Sequence, residues 1–333
     1  VHNHAPRRSQ MKAIVQTEYG SPDVLRLEAV DQPVPQDDEI QVRVRAASVD
    51  AGVWHLMRGT PFLIRLMFGG LRRPAIPILG GALAGEVEAV GSAVTQFKPG
   101  DAVFGDLSAS GFGAFAEYVC APASAFVSKP ANVSFEAAAT VPISGLAALQ
   151  GLQTVGQLQS GQRVLVNGAS GGVGSFAVQI AKALGADVTG VCGPGKVDMV
   201  RDLGADQVID YTQADPTRPE QPYDLILDAA AYRPFFDFLP GLTAGGTYVM
   251  VGGSTPGFFQ AMLIGPWISK IRDCQVKCLT SNPNQSDLLQ LQHLLATGKI
   301  KPYLDRTYPL AAVPEAIRHL ERRQVRGKVV ISL

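Results

Sequence analysis

The sequence predicts an α/β protein in two parts: a small, mostly-β domain of barrel type and a doubly wound, parallel six-stranded sheet. Three observations lead there. Residues 11–135 run as short alternating strand patterns cut by Gly20-Ser21-Pro22-Asp23, Pro33-Val34-Pro35 and Lys98-Pro99-Gly100-Asp101. From Glu136 the rhythm changes to strand, helix, strand, with six strand-like runs. Within it, Arg163-Val164-Leu165-Val166-Asn167, a glycine turn and an apolar helical pattern follow one another directly.

Length agrees with two parts, since 333 residues exceed what one core usually serves. Lys+Arg and Asp+Glu both number 29, so the whole chain offers no field for nucleic acid or an anionic bilayer, and a neutral or lipophilic substrate is expected. Cys120, Cys192, Cys274 and Cys278 lack metal-knuckle spacing and read as inert buried thiols, and no secretory signal precedes Met11; a cytoplasmic location is the expectation. The uncharged segments 137–162 and 238–269 are broken by prolines and glycines, so no transmembrane segment is expected.

In chain order, residues 1–10 read as a disordered tail or a tag remnant. Strands are expected at 12–17, 25–30, 40–47, 83–90, 102–104 and 115–119, which with the C-terminal part would form the first domain (11–135 and 283–333). The second (136–282) carries strands at 163–167, 188–192, 207–210, 225–228, 247–251 and 275–279. The tail holds a helix near 286–297, a loop through Lys301-Pro302, a helix near 314–323 and a strand at 328–332.

The glycine turn carries the chemistry. Ala169-Ser170-Gly171-Gly172-Val173-Gly174 matches a dinucleotide fingerprint with alanine for the first glycine. Gly171 would let backbone approach a pyrophosphate, Gly174 would let the helix pack on the strand, and the helix N-terminus would face the anion. A tight turn without a ligand is the competing reading. The next strand runs into Cys192-Gly193-Pro194-Gly195-Lys196, with no carboxylate for a ribose 2′-OH and with Lys196 able to approach a 2′-phosphate as a point charge, which favours NADPH. Lys196 as a solvated helix-opening residue is the alternative; Asp198 is expected to face solvent.

Further motifs appear in order: Ala47-Ser48-Val49-Asp50 with Trp54-His55-Leu56-Met57-Arg58-Gly59; Val90-Gly91-Ser92-Ala93-Val94 with Phe97-Lys98-Pro99-Gly100-Asp101-Ala102-Val103; Gly113-Ala114-Phe115-Ala116-Glu117-Tyr118; Leu203-Gly204-Ala205-Asp206 with Val208-Ile209-Asp210-Tyr211; and Arg326-Gly327-Lys328-Val329-Val330. With these the chain resembles, from Met11 to Leu333, the zinc-independent, quinone oxidoreductase-like branch of the medium-chain dehydrogenase/reductases. The resemblance implies a GroES-like catalytic domain split around a Rossmann domain, an active site in the cleft between them, and a homodimer joined through Gln275–Leu279. It implies cofactor contacts at Ala169 to Gly174, Gly193, Lys196, Tyr211, Val251, Gly252, Arg326 and Lys328, and a substrate pocket with Trp54, Phe62, Phe112 and Phe258. Zinc-dependent relatives place ligands where this chain has Ser48 and Gly81-Ala82, so no metal is expected.

The implied activity is NADPH-dependent hydride transfer to a quinone or an α,β-unsaturated carbonyl. His55 stands where related enone reductases carry a lysine and Asp50 where an asparagine is common, which makes them the catalytic candidates. His55 as a structural histidine, and Asp50 as either a proton-tuning group or a ribose ligand, remain open. Ala82, Val53 and Ala147 depart from the family pattern. The alternatives are a zinc-independent NADP-dependent alcohol or carbonyl oxidoreductase and a catalytically decayed NADPH-binding regulatory protein. The apolar stretches 60–73 and 256–271 read as lids, as core or dimer faces, or as lipid contacts.

Overall fold

The computed structural model describes residues 9–68 and 70–333. The expected tail lies outside the described residues except for Ser9 and Gln10, and Gln10 already joins a sheet. Gln10 opens β1 (Gln10–Val15) opposite Asp31 of β2 (Arg26–Asp31), and the Ser9 carbonyl accepts from the Gln32 amide at 2.8 Å.

The elements that follow are β3 (Glu39–Val49), α1 (Ala51–Arg58), α2 (Phe62–Met67), β4 (Ala82–Val90), β5 (Ala102–Asp106), β6 (Tyr118–Pro122), β7 (Phe126–Ser128) and α3 (Phe135–Ala139). Next come α4 (Val141–Leu149), a π-helical turn at Gln150–Val155, β8 (Arg163–Asn167), α5 (Gly172–Ala183), β9 (Asp187–Cys192), α6 (Val197–Asp202) and β10 (Gln207–Asp210). The chain continues through β11 (Tyr223–Asp228), β12 (Leu242–Met250), α7 (Thr255–Ile271), β13 (Cys274–Cys278), α8 (Gln285–Ala296), β14 (Leu304–Pro309), α9 (Val313–Glu321) and β15 (Lys328–Ser332).

Two compact units result. One holds the described residues up to Ile143 with Pro283–Ala296 and Leu304–Leu333; the other holds Ser144–Asn282 with Thr297–Tyr303. The division falls after Ile143, beyond the change of rhythm at Glu136, because α3 packs on β3 and β4. Residues 297–303 go with the second unit, where the Gln179 side chain exchanges hydrogen bonds of 3.2 and 2.7 Å with the Lys301 backbone.

In the first unit, β1 and β2 form a hairpin-like pair, and the larger sheet runs β14-β15-β3-β4-β5-β7 with β6 on β3. β3 is its spine. Alternate positions Ile40, Val42, Val44 and Ala46 are fully or almost fully buried, as a half-covered strand of period two requires. The strand expected at 115–119 lies at 118–122 instead, because Ala114 and Phe115 bond back to Gly80 and Leu79 (3.0 and 2.9 Å). β14 has no counterpart among the expected strands. Its run Leu304-Asp305-Arg306-Thr307-Tyr308 is a half-exposed edge strand parallel to β15, where burial patterning is weakest.

The second unit is one parallel sheet in the order β10-β9-β8-β11-β12-β13. Parallel strands are covered on both faces, which explains the continuous apolar runs; Leu165, Ile226, Phe238 and Tyr248 form the middle of one core. The order reverses between β8 and β11, so the carboxyl ends of those strands open at a topological switch point. Stretch 256–271 belongs to α7, capped by Ser254 and containing Pro266. Among the described residues no helix is long and apolar enough to cross a membrane.

Candidate active site

In the second unit, the glycine turn sits at that switch point. Gly168 takes φ +81°, and the amides of Gly168 and Ala169 donate to the Val191 carbonyl at 3.1 and 2.9 Å, tying the turn to the end of β9. A Cβ on Gly174 would stand 2.1 Å from the Gly168 carbonyl oxygen, so α5 can start this close to β8 only with glycine there. At Gly171 the nearest atom to a Cβ, that same oxygen, is 3.3 Å away. The alanine in place of the first glycine is accommodated by Gly190 on β9: a Cβ there would lie 3.1 Å from the Ala169 methyl and 2.4 Å from Val200. Ser170 is buried, while Gly172 and Val173 at the start of α5 are half-exposed.

Beneath the turn lies a network that sequence reading missed. Asn167 Nδ2 and the Ala230 amide donate to Asp228 Oδ1 (2.7 and 3.1 Å), and the Tyr248 hydroxyl donates to Oδ2 (2.6 Å). Asp228 is fully buried. Burial pushes its carboxyl up, opposed by the hydrogen bonds from Tyr248, Asn167 and Ala230; burial and then the Asp228 charge push the Tyr248 phenol up. The Val251 amide bonds the Asp228 carbonyl at 2.9 Å and the Gly252 carbonyl accepts from Ala231 at 2.9 Å, so both residues line the same strand ends. An asparagine and an aspartate each closing an apolar strand, Asn167 and Asp228, were the available signal.

At the end of β9, Tyr211 packs on Gly193: a Cβ on Gly193 would be 3.1 Å from the phenol oxygen. Lys196 occupies the N-cap position of α6 and is half-buried. Asp198 projects into solvent and pairs with Arg201 at 3.0 Å. One acid went unweighed: Asp210 sits opposite Cys192 in the register, and its Oδ1 accepts from the Thr212 amide and hydroxyl at 2.9 and 2.7 Å. Burial, then Asp210, pushes the Cys192 thiol up to about 11, against Lys196; Cys120 is pushed up to about 12 by burial.

In the first unit, the candidate residues gather where β3 and β5 end and β4 and β15 begin. Asp50 follows β3 and forms a buried ion pair with Lys328, the first residue of β15. The sheet register lines up Val330, Ser48, Ala82 and Asp106 across four strands. Ser48 is fully buried and its hydroxyl has no hydrogen-bond partner. Asp106, which sequence reading passed over, accepts from the Ser108 amide at 2.8 Å. Burial chiefly, and the Asp50 charge in addition, holds its carboxyl above the ordinary range against the Ser108 bonds.

On α1, His55 Nδ1–H donates to the Thr60 carbonyl at 2.8 Å, which fixes the proton on Nδ1 in the neutral ring and leaves Nε2 as the acceptor. Its ring meets Trp54 edge to face at 4.5 Å. Trp54 Nε1–H and the Arg58 guanidinium both donate to Glu321 Oε1 of α9 (both 2.5 Å), and the same guanidinium lies over the Trp54 ring at 5.7 Å. Phe112 is buried at φ +67° with Phe68 against it, Phe62 projects from α2, and Phe258 packs on the core of the second unit. Arg326 is exposed and Ala147 is buried.

The donor set does not fit zinc. Among the described residues no three His, Cys, Asp or Glu side chains gather as a metal would need; the carboxylates at the row of Ser48 and Ala82 are Asp106, within the row, and Asp50, which is already bound to an ammonium group.

Residues 36–131 match the family described as alcohol dehydrogenase GroES-like domain, and residues 203–331 match the family described as zinc-binding dehydrogenase. The chain is 33% identical over 335 residues to the chloroplast envelope quinone oxidoreductase homolog of Arabidopsis thaliana, covering 97% of this chain and 98% of that one. It is 33% identical to the 2-methylene-furan-3-one reductase of Solanum lycopersicum, over 97% of this chain and 79% of that one. The structure of the quinone oxidoreductase from Coxiella burnetii superposes with a TM-score of 0.85 at 28% identity, covering 98% of this chain and all of that one.

Proposed function

Because the chain belongs to the quinone oxidoreductase-like medium-chain dehydrogenase/reductases, we propose that it is an NADPH-dependent reductase that delivers hydride, without zinc, to a quinone or an α,β-unsaturated carbonyl. A nicotinamide dinucleotide supplies the hydride when bound. The chain's own residues bind, orient and manage protons. The turn Ala169–Gly174 holds the pyrophosphate against the start of α5. Gly193, Lys196 and Tyr211 take the 2′-phosphate, with the ammonium group of Lys196 as its point charge; Asp210, held by Thr212, keeps its negative charge at the end of the neighbouring strand.

One observation carries the choice of acceptor. The row where relatives with a metal would hold it presents the hydroxyl of Ser48, the methyl of Ala82 and one carboxyl, Asp106, beside an Asp50 already neutralised by Lys328, which is too few ligands for zinc. A site without a Lewis acid suits acceptors that delocalise incoming electrons themselves. His55, with its proton fixed on Nδ1, receives or returns a proton at Nε2, and the faces of Trp54 and Phe112 supply the apolar wall. The relatives named for quinone and methylene-furanone reduction support the same acceptor class. We extend the reading to a homodimer joined along β13, one of the two edges of the parallel sheet, and to a reducing, cytoplasmic setting for four unpaired cysteines.

The test is consumption of NADPH and NADH against a benzoquinone, a naphthoquinone, an alkyl vinyl ketone and an aldehyde, with and without a chelator. NADPH-selective, chelator-insensitive turnover of quinone or enone is expected. Faster aldehyde reduction would replace this reading by a carbonyl oxidoreductase, and NADPH binding without turnover of any acceptor by a regulatory protein.

A further inference from the structure

The zero net charge of the chain conceals an uneven distribution. From Ala51 to Gly85 there is no aspartate or glutamate, while Arg58, Arg65, Arg72 and Arg73 all lie in that stretch. α2 sits in its middle. The helix is anchored by its inner side: Ile64 packs on the core of the first unit, and Arg65 lies over the Tyr19 ring at 4.4 Å and donates to the Gly59 carbonyl at 2.9 Å.

The opposite side is bare. Phe62, Leu63, Leu66 and Met67 occupy positions i, i+1, i+4 and i+5, which form one helix face, and they are 60, 44, 55 and 69% exposed. Leu71 is exposed just beyond, followed by Arg72 and Arg73, both exposed. Soluble surfaces rarely leave so many large apolar side chains together.

From this we propose that α2 with Leu71–Arg73 is a lipid contact: the apolar face enters the interface of an anionic bilayer while Arg72 and Arg73 pair with its phosphates. The composition favours lipid over a protein partner. Between Phe62 and Met67 the one polar side chain, Arg65, points inward, so the outer face holds no group that a protein surface would have to satisfy, whereas acyl chains ask for none. The guanidiniums at its border, with no acid near them in sequence, are complementary to anionic headgroups. Phe62, expected in the substrate pocket, belongs in this reading to the outer face, and the contact holds whichever acceptor the protein reduces.

The experiment is flotation of the full chain with phosphatidylcholine vesicles, with and without phosphatidylglycerol, alongside its mass in solution. The protein is expected to float with the anionic vesicles and to remain in solution with the zwitterionic ones. Each Arg removed weakens partition roughly five-fold, so Arg72→Glu/Arg73→Glu together lowers it by at least about 25-fold. Met67→Asp abolishes flotation, and Met67→Trp gives an emission that shifts to the blue and is quenched by brominated lipid. These positions are exposed, so unchanged melting temperatures accompany all three variants. Failure of the wild type to float with anionic vesicles overturns the proposal, as does flotation that the arginine reversals leave intact. If Met67→Asp instead splits a dimer while the wild type ignores vesicles, the face joins two copies of the chain and the lipid contact is refuted.

Discussion

Removing one partner of the Asp50–Lys328 pair separates a structural from a catalytic role for both residues. The two side chains are 5% and 3% exposed, so neither charge can recover water when the other is lost. Breaking such a pair typically costs about 3–5 kcal/mol, against about 0–1 for a surface pair. Asp50 makes no cap hydrogen bond to α1, so loss of a helix cap does not add to this. For a unit of this size each kcal/mol lowers Tm by roughly 2–4 °C, so Asp50→Asn and Lys328→Met should each fall by about 10 °C. The double variant leaves two neutral groups and should recover most of the loss, a coupling of several kcal/mol in a double-mutant cycle followed by urea unfolding. Single losses under about 1 kcal/mol that simply add would refute the buried-pair reasoning. Turnover by the folded double variant then tells the roles apart: if Asp50 holds a ribose hydroxyl or tunes a proton, kcat or KM stays impaired although stability has returned.

Three further outcomes are expected. Gly174→Ala must displace backbone at Gly168, and should raise the NADPH Kd at least about ten-fold and cost about 1–3 kcal/mol, while Gly171→Ala folds normally; titration of NADPH fluorescence checks it, and an unchanged Kd for Gly174→Ala would remove the turn from the cofactor site. The Asp106 carboxyl is held up in the folded protein, so its contribution is fully present below the unfolded pKa near 3.9 and is lost as pH rises through the higher folded value. Asp106→Asn should therefore gain stability relative to wild type between pH 4 and pH 7, and a difference in urea midpoints that ignores pH would count against it. Glu321→Ala leaves Trp54 Nε1 and Arg58 without their shared acceptor, for a loss of about 1–3 kcal/mol and a changed Trp54 emission.

Local patterns carried much of the fold and part of the candidate site. The glycine turn at 168–174, the apolar runs of the six parallel strands and the missing carboxylate after Val191 all lie within short windows, where period and turn chemistry act directly. β14 escaped because an edge strand with mixed charges has no burial to pattern it, and the start of the first sheet at Gln10 was hidden by polar neighbours.

What tertiary structure decided is which side chains meet. Asp50 and Lys328 were both singled out, one for chemistry and one for the cofactor, yet their pairing joins residues 278 apart and neutralises both. Trp54 and Glu321, 267 apart, are joined in the same way, and Asp106 becomes a buried acid only because the sheet sets it in the row of Ala82 and Ser48. A titratable group's state depends on desolvation and on charges a few ångströms away. Sequence separation does not encode those distances; the register of β15 against β3 and of β5 against β4 does.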